Sequence, residues 1–139
     1  MNIDSIVSGV VIDHISAGRS MEIYRQLRLD ALDCPVAIIK NVKSARLGRK
    51  DIIKIDDATF DIDLNALGYL EPDSTVNIIR EGRIVEKKHL ALPEKLVNVI
   101  HCKNPRCITA AEPGLEHIFL LSRASQRLYR CAYCETERV

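Results

Sequence analysis

The chain has 139 residues, enough for one domain or two small ones, and 47% of them are apolar, enough for a core. The net charge of +1 gives no global electrostatic case for nucleic acid, and six aromatic residues without tryptophan leave little for stacking bases. No apolar run approaches the roughly 20 residues of a membrane-spanning helix.

Residues 10–15, VVIDHI, form a β-branched run that predicts a buried strand. Asp13 and His14 interrupt it side by side, and on a regular strand they point to opposite faces. On the residues alone, both read as solvated side chains at the end of an edge strand. Gly18 or Ser20 then opens an amphipathic helix running to Leu29, with Met21, Tyr24, Leu27 and Ile23 on its apolar side and Arg25 and Arg28 outside. Cys34-Pro35 leads into a second strand at Val36 to Ile39, where Cys34 reads as a small buried hydrophobe. Ser44 to Gly48 is a loop, and residues 49–56 make a third strand. On that strand Lys50, Ile52 and Lys54 share one face and Ile53 and Ile55 the other. The two lysines could converge on a polyphosphate or form a solvated edge that discourages aggregation, the commoner case.

Residues 61–70 predict a second helix, capped by Asp61 or Asp63, with Leu64, Leu67 and Leu70 inward and Pro72 beyond it. Thr75 to Ile79 and Arg83 to His89 read as a hairpin around Glu81-Gly82. The order strand, helix, strand, strand, helix, strand, with one further strand, predicts a ferredoxin-like antiparallel sheet with two helices. Leu92-Pro93-Glu94 ends this pattern, dividing the chain into residues 1–93 and 94–139. The fold class is α+β.

Beyond the boundary, Val97 to His101, Ile118 to Leu121 and Arg127 to Arg130 predict short strands in a small all-β domain. Four of the five cysteines lie here, spaced C-x4-C, twenty-three residues, then C-x2-C: Cys102, Cys107, Cys131 and Cys134. That spacing predicts a closed, structural zinc site of the zinc-ribbon (rubredoxin-like) kind. A closed site leaves no position for a substrate, so its role is to hold the fold. Two disulfides are the rival reading; the opening MNIDSIVSG has no signal-peptide pattern, and a chain kept in the reducing cytoplasm retains its thiols. Iron in the same four sulfurs is the weaker metal alternative. Charge is not segregated, since residues 1–93 carry 13 basic and 14 acidic side chains and residues 94–139 carry 7 and 5. A nucleic-acid-binding zinc ribbon, resting only on Arg123, Arg127, Arg130 and Tyr129, is the alternative function, and the near-neutral charge argues against it. No Ser-His-Asp set, open metal site, glycine-rich phosphate loop or pair of catalytic carboxylates stands out, so the chain is not expected to be an enzyme.

Several separate blocks carry a resemblance. They are Gly9-Val10-Val11-Ile12-Asp13-His14-Ile15, Gly48-Arg49-Lys50-Asp51 with Ile53-Lys54-Ile55, Thr75-Val76-Asn77, Leu92-Pro93-Glu94, Ala111-Glu112-Pro113, and the four cysteines with Asn104 and Tyr133 between them. Over nearly its whole length the chain resembles the regulatory chain of aspartate carbamoyltransferase. The resemblance implies an N-terminal allosteric domain that pairs with its own copy, a C-terminal zinc domain that docks on the catalytic chain, and no catalysis of its own. It implies CTP and ATP as effectors, with UTP in some members. Carried to matching positions, it places Asp4 and Ile6 near the base, Val11 and Asp13 near base and ribose, and His14, Lys50, Lys54 and Lys87 around sugar and phosphates. Asn77, Ile79 and Ile84 would line the pocket. Gly82 departs from the larger side chain common at that position, and Asn104, Arg106 and Glu135 are candidate contacts to the partner.

Overall fold

A computed structural model describes residues 7–138, so Asp4 and Ile6 lie outside the described residues. The chain divides between Ala91 and Leu92 into two compact units. Leu92 and Pro93 go with the second, where the Tyr129 hydroxyl donates to the Pro93 carbonyl at 2.7 Å and the Leu121 amide to Glu94.

In the first unit, β1 (Gly9–Ser16) leads to α1 (Ser20–Gln26), then a hairpin of β2 (Val36–Ser44) and β3 (Gly48–Ile55), α2 (Leu64–Leu70), and a second hairpin of β4 (Thr75–Arg80) and β5 (Arg83–His89). The antiparallel sheet has the order β2-β3-β1-β4-β5, the ferredoxin-like arrangement with β5 added at one edge. β1 is thus the central strand, which corrects the edge-strand reading of Asp13 and His14. The period of two sorts the strands. Val10, Ile12, Ile53, Ile55 and Val76 are buried with Ile23, Leu29 and Leu67 in one core, each large apolar side chain worth about 1.5–3 kcal/mol when fully buried. The alternate residues Val11, Asp13, Lys54 and Asn77 occupy the opposite face.

α1 is shorter than expected, because the chain turns through a left-handed Arg28 into a 3-10 turn at Leu29–Ala31. Ile23 is buried and Tyr24 and Leu27 pack against the core as predicted, with Ser20 also buried, while Met21 is exposed, which corrects its place on the apolar side. α2 is capped by Asp63, whose carboxylate accepts the Ala66 amide at 3.0 Å. The β4-β5 turn carries Glu81 and Gly82 at φ +52° and +74°, the mirror-image turn that suits a twisted hairpin.

The buried Asp51 carboxylate joins three segments. It accepts the amides of Gly18 at 3.1 Å, Ser20 at 3.2 Å and Asn41 at 2.9 Å, holding the entry to α1 and the β2 bulge where Asn41 is left-handed. Burial would raise its pKa, but the Ser20 hydroxyl and these amides outweigh it and hold the carboxyl below its ordinary range.

The second unit is a four-stranded antiparallel sheet, β6 (Lys95–Val97), β7 (Ile118–Arg123), β8 (Leu128–Cys131) and β9 (Glu137–Arg138), paired in that order. Leu96, Phe119 and Tyr129 are its fully buried side chains. The strand expected at Val97 to His101 instead ends at Val97, because Asn98 turns left-handed and its amide bonds the His117 carbonyl. One helical turn, α3 (Ile108–Ala111), follows Cys107. Among the described residues, no helix is long and apolar enough to cross a membrane.

Candidate functional site

The four cysteines converge. Their sulfurs lie within 4.8 Å of one another, with Cys102 3.6 Å from Cys134 and Cys107 3.8 Å from Cys131. A disulfide needs about 2.05 Å, whereas a tetrahedron with metal–sulfur bonds of roughly 2.3 Å has edges near 3.8 Å. The separations fit a metal, and all four residues are free cysteines. Each close pair comes from a turn. The Cys107 amide donates to the Asn104 carbonyl at 3.0 Å, and the Glu135 amide, from a left-handed residue, to Cys131 at 2.8 Å. The Cys102 amide donates to His117 Nδ1 at 3.1 Å, which fixes the entry to the first turn.

Hydrogen bonding differentiates the sulfurs. The Thr136 hydroxyl and amide pull the Cys134 thiol down to about 6, and those of Thr109 lower Cys107. Burial, with the neighbouring thiols, pushes Cys102 up to about 12. Thiols of opposite tendency in one cluster lose their remaining protons when a cation replaces them.

The second constellation is on the open face of the first sheet. A cavity of about 260 Å³ is lined by Val11, Asp13, Ile52, Lys54, Asn77, Ile79, Gly82 and Ile84. Six of these are sequence-predicted; Ile52 is an addition, and Gly82 presents backbone, with its amide 2.7 Å from the Val7 carbonyl. Register explains the convergence. Val11 faces Lys54 across one ladder and Asn77 across the other, and Asn77 faces Lys87, so these four share a face. A bulge at Ile78/Ile79 also puts Ile84 opposite Ile79, which is why Ile84 and Lys87, three apart, share that face. The Asn77 side-chain oxygen is buried in the wall without a hydrogen-bond partner.

Lys50, Lys87 and His14 do not line the cavity. Lys50 Nζ lies 2.9 Å from Asp13 Oδ1, which also accepts the His14 amide at 2.6 Å. Burial opposes ionisation of Asp13, but Lys50 and His14 outweigh it and lower its pKa. His14 departs from strand alternation. Its φ is +58° within the bulge between Ile12 and Ile15, which turns its Nδ1 to within 3.0 Å of the Thr75 hydroxyl, so Asp13 and His14 do not point to opposite faces. Burial holds His14 below the ordinary histidine range, Asp13 opposes this, and Lys50, Arg46 and Lys87 reinforce it. Thr75 enters the sequence reading only within a strand and a resemblance block, and Arg46 is not named in it; the bulge that brings His14 to Thr75 has no sequence signal beyond the polar pair itself.

Two of the four residues behind the nucleic-acid alternative are engaged within the second unit. Tyr129 is fully buried and cannot stack on a base, and Arg130 pairs with Glu137 and Ser122. Asn104 turns inward, its Nδ2 3.3 Å from the Thr136 hydroxyl.

Residues 1–91 match the family model for the allosteric domain of the aspartate carbamoyltransferase regulatory chain, and residues 94–138 match that for its metal binding domain. The regulatory chain from Bifidobacterium longum is 47% identical over 137 residues, covering 99% of this chain and 98% of that one. Those from Clostridium tetani and Clostridium acetobutylicum are 46% and 44% identical over 135 residues, covering 97% of this chain and 94% and 92% of theirs. With both domain models matched in order and relatives this similar from end to end, the chain belongs to the family of aspartate carbamoyltransferase regulatory chains, with an allosteric domain and a metal-binding domain.

Proposed function

We propose that the chain binds nucleotide effectors on its first unit, residues 1–91, and docks on the aspartate carbamoyltransferase catalytic chain through its second, residues 92–139, in cytoplasmic pyrimidine biosynthesis. The observation that carries the effector site is the cavity that joins an apolar wall to Asp13, Lys54 and the unpartnered Asn77 oxygen. The buried acceptor calls for a donor, such as the exocyclic amine of cytosine or adenine. Asp13 suits a ribose hydroxyl or the same amine. At about 260 Å³ the cavity has room for base and sugar, which leaves the phosphates to Lys50, Lys54, Lys87 and His14 at its margin. Asp4 and Ile6 complete the expected contacts to the base. CTP, ATP and UTP are the proposed effectors, sharing one pocket.

The cysteines Cys102, Cys107, Cys131 and Cys134 hold one structural Zn2+, supported by their tetrahedral spacing and closure. The metal supplies cross-linking of the two turns, and no chemistry passes through it. Exposed Ile108, Leu120 and Tyr133 give the second unit an apolar surface suited to docking. The first units pair with one another, for which β5, exposed along the sheet edge with Ile84 and Val85 uncovered, offers unpaired backbone. An effector biases the catalytic partner only through its difference in affinity between two quaternary states, typically about 1–3 kcal/mol. Reconstitution with the catalytic chain tests this: nucleotides should shift its substrate response only when this chain is present, and an unchanged response with the complex formed would refute it.

A further inference from the structure

Both metal-binding turns end in the same three-residue pattern, Cys107-Ile108-Thr109 and Cys134-Glu135-Thr136. In each, the threonine hydroxyl returns to the sulfur two residues earlier. Thr109 Oγ1 is 3.2 Å from Cys107 Sγ, and Thr136 Oγ1 is 3.1 Å from Cys134 Sγ. Thr109 is buried, so its hydroxyl proton has no solvent to turn to.

The second contact has a further member. Asn104, in the other turn, accepts the Arg106 amide on Oδ1 at 3.0 Å, which fixes the orientation of its side-chain amide. Its Nδ2 therefore faces Thr136 Oγ1, at 3.3 Å, and can only donate. As a thiol, Cys134 Sγ donates to Thr136 Oγ1; when a cation displaces the thiol proton this bond reverses, and Thr136, still accepting from Asn104, turns its own proton to the sulfur. A hydroxyl polarised by an accepted bond is a stronger donor. When a divalent metal binds, four thiolates carry two more negative charges than the ion neutralises. Donors aimed at the sulfurs offset that excess and orient the lone pairs.

We infer that Thr109, and Thr136 relayed from Asn104, are positioning residues that orient the sulfurs of two of the four metal ligands, Cys107 and Cys134, with Asn104 coupling the two turns. The inference rests on the reading of the cysteine cluster as a metal site.

The test uses the full chain and its T109V, T136V, T136S and N104A variants, loaded with Zn2+ or Co2+ and titrated with a chelator. T109V and T136V should each weaken Zn2+ binding by about 10–100-fold, with T136S close to wild type. Removing a hydroxyl raises the sulfur lone pair in energy, so the thiolate-to-Co2+ charge-transfer band should move to longer wavelength. N104A should weaken binding alone but add nothing to T136V. Should a valine variant not fold, T136A at saturating Co2+ carries the same comparison. Affinities within twofold of wild type and an unshifted band would overturn the inference while leaving the metal site standing. A fully additive N104A effect would overturn the relay. A wild-type chain that takes up neither ion would overturn the metal reading and this inference with it.

Discussion

Lys50 Nζ sits 2.9 Å from Asp13 Oδ1, with both side chains mostly buried on the open face of the sheet. The ion pair stores a cation beside the cavity that Asp13 lines. On the proposed effector reading, a polyphosphate would compete with Asp13 for Lys50, whereas a nucleoside would leave the pair intact. Lys50→Ala should therefore weaken triphosphate binding by about tenfold or more, the loss of one charge-assisted contact of roughly 1.5–3 kcal/mol, and leave nucleoside binding nearly unchanged. Asp13→Asn should weaken both. Titration of each variant with nucleoside and triphosphate reads this directly, and equal losses for the two ligands in Lys50→Ala would count against it.

His14 gives the site a pH dependence. Its pKa is lowered in the free protein by burial, with Lys50, Arg46 and Lys87 adding to the effect. Phosphates bound as proposed would replace repulsion by attraction and raise that pKa, so that binding would take up a proton. Affinity should rise as pH falls from about 7.5 toward the ordinary histidine pKa of roughly 6.5. Triphosphates protonate in the same range, so the informative quantity is the difference from His14→Ala, in which the histidine contribution should vanish. Calorimetry in buffers of different ionisation enthalpy measures the proton uptake.

Asp51 is a structural carboxylate. Removing it leaves three amide donors without their acceptor, and breaking a buried charged network of this kind costs about 3–5 kcal/mol. Asp51→Ala should lose about that much in urea unfolding of the first unit. Because the folded pKa is depressed, the stabilisation is fully present above the unfolded value of about 3.9 and is lost as pH falls through the folded one. Asp51→Asn should flatten that acid dependence as well as lowering stability at neutral pH.

Metal removal should act on one unit only. Structural zinc binding is worth roughly 10–16 kcal/mol, against about 5–15 kcal/mol for a domain's total stability. A chelator should unfold residues 92–139 while the five-stranded sheet of the first unit keeps its cooperative transition. Restoring Zn2+ should restore the second unit, as followed by circular dichroism and amide exchange. Metal analysis of the purified chain separates zinc from iron.

The sequence shows the elements more clearly than their irregularities. Alternation along residues 49–56 separates Lys54 from Ile53 and Ile55 as the structure does, and the cysteine spacing brings four sulfurs together. Alternation fails at the bulges. His14 and Asn41 are left-handed without being glycine, each held by a long-range bond, to Thr75 and Asp51 respectively, that no local pattern reveals. The same limit hid the shared face of Ile84 and Lys87. The strand expected at Val97 to His101 looked sound in composition, but a left-handed Asn98 overrides β propensity. Asn104 was legible as special only by resemblance, and its inward bond to Thr136 crosses 32 residues.

The most direct test of the effector site is calorimetric titration of the metal-loaded chain with CTP and with ATP, repeated on Lys54→Ala and Lys87→Ala. The account predicts binding of both nucleotides, competition between them, and clear weakening in both variants. Binding that neither substitution alters would contradict a site on this face of the sheet, and no binding of either nucleotide to a folded, metal-loaded chain would contradict a preformed effector pocket.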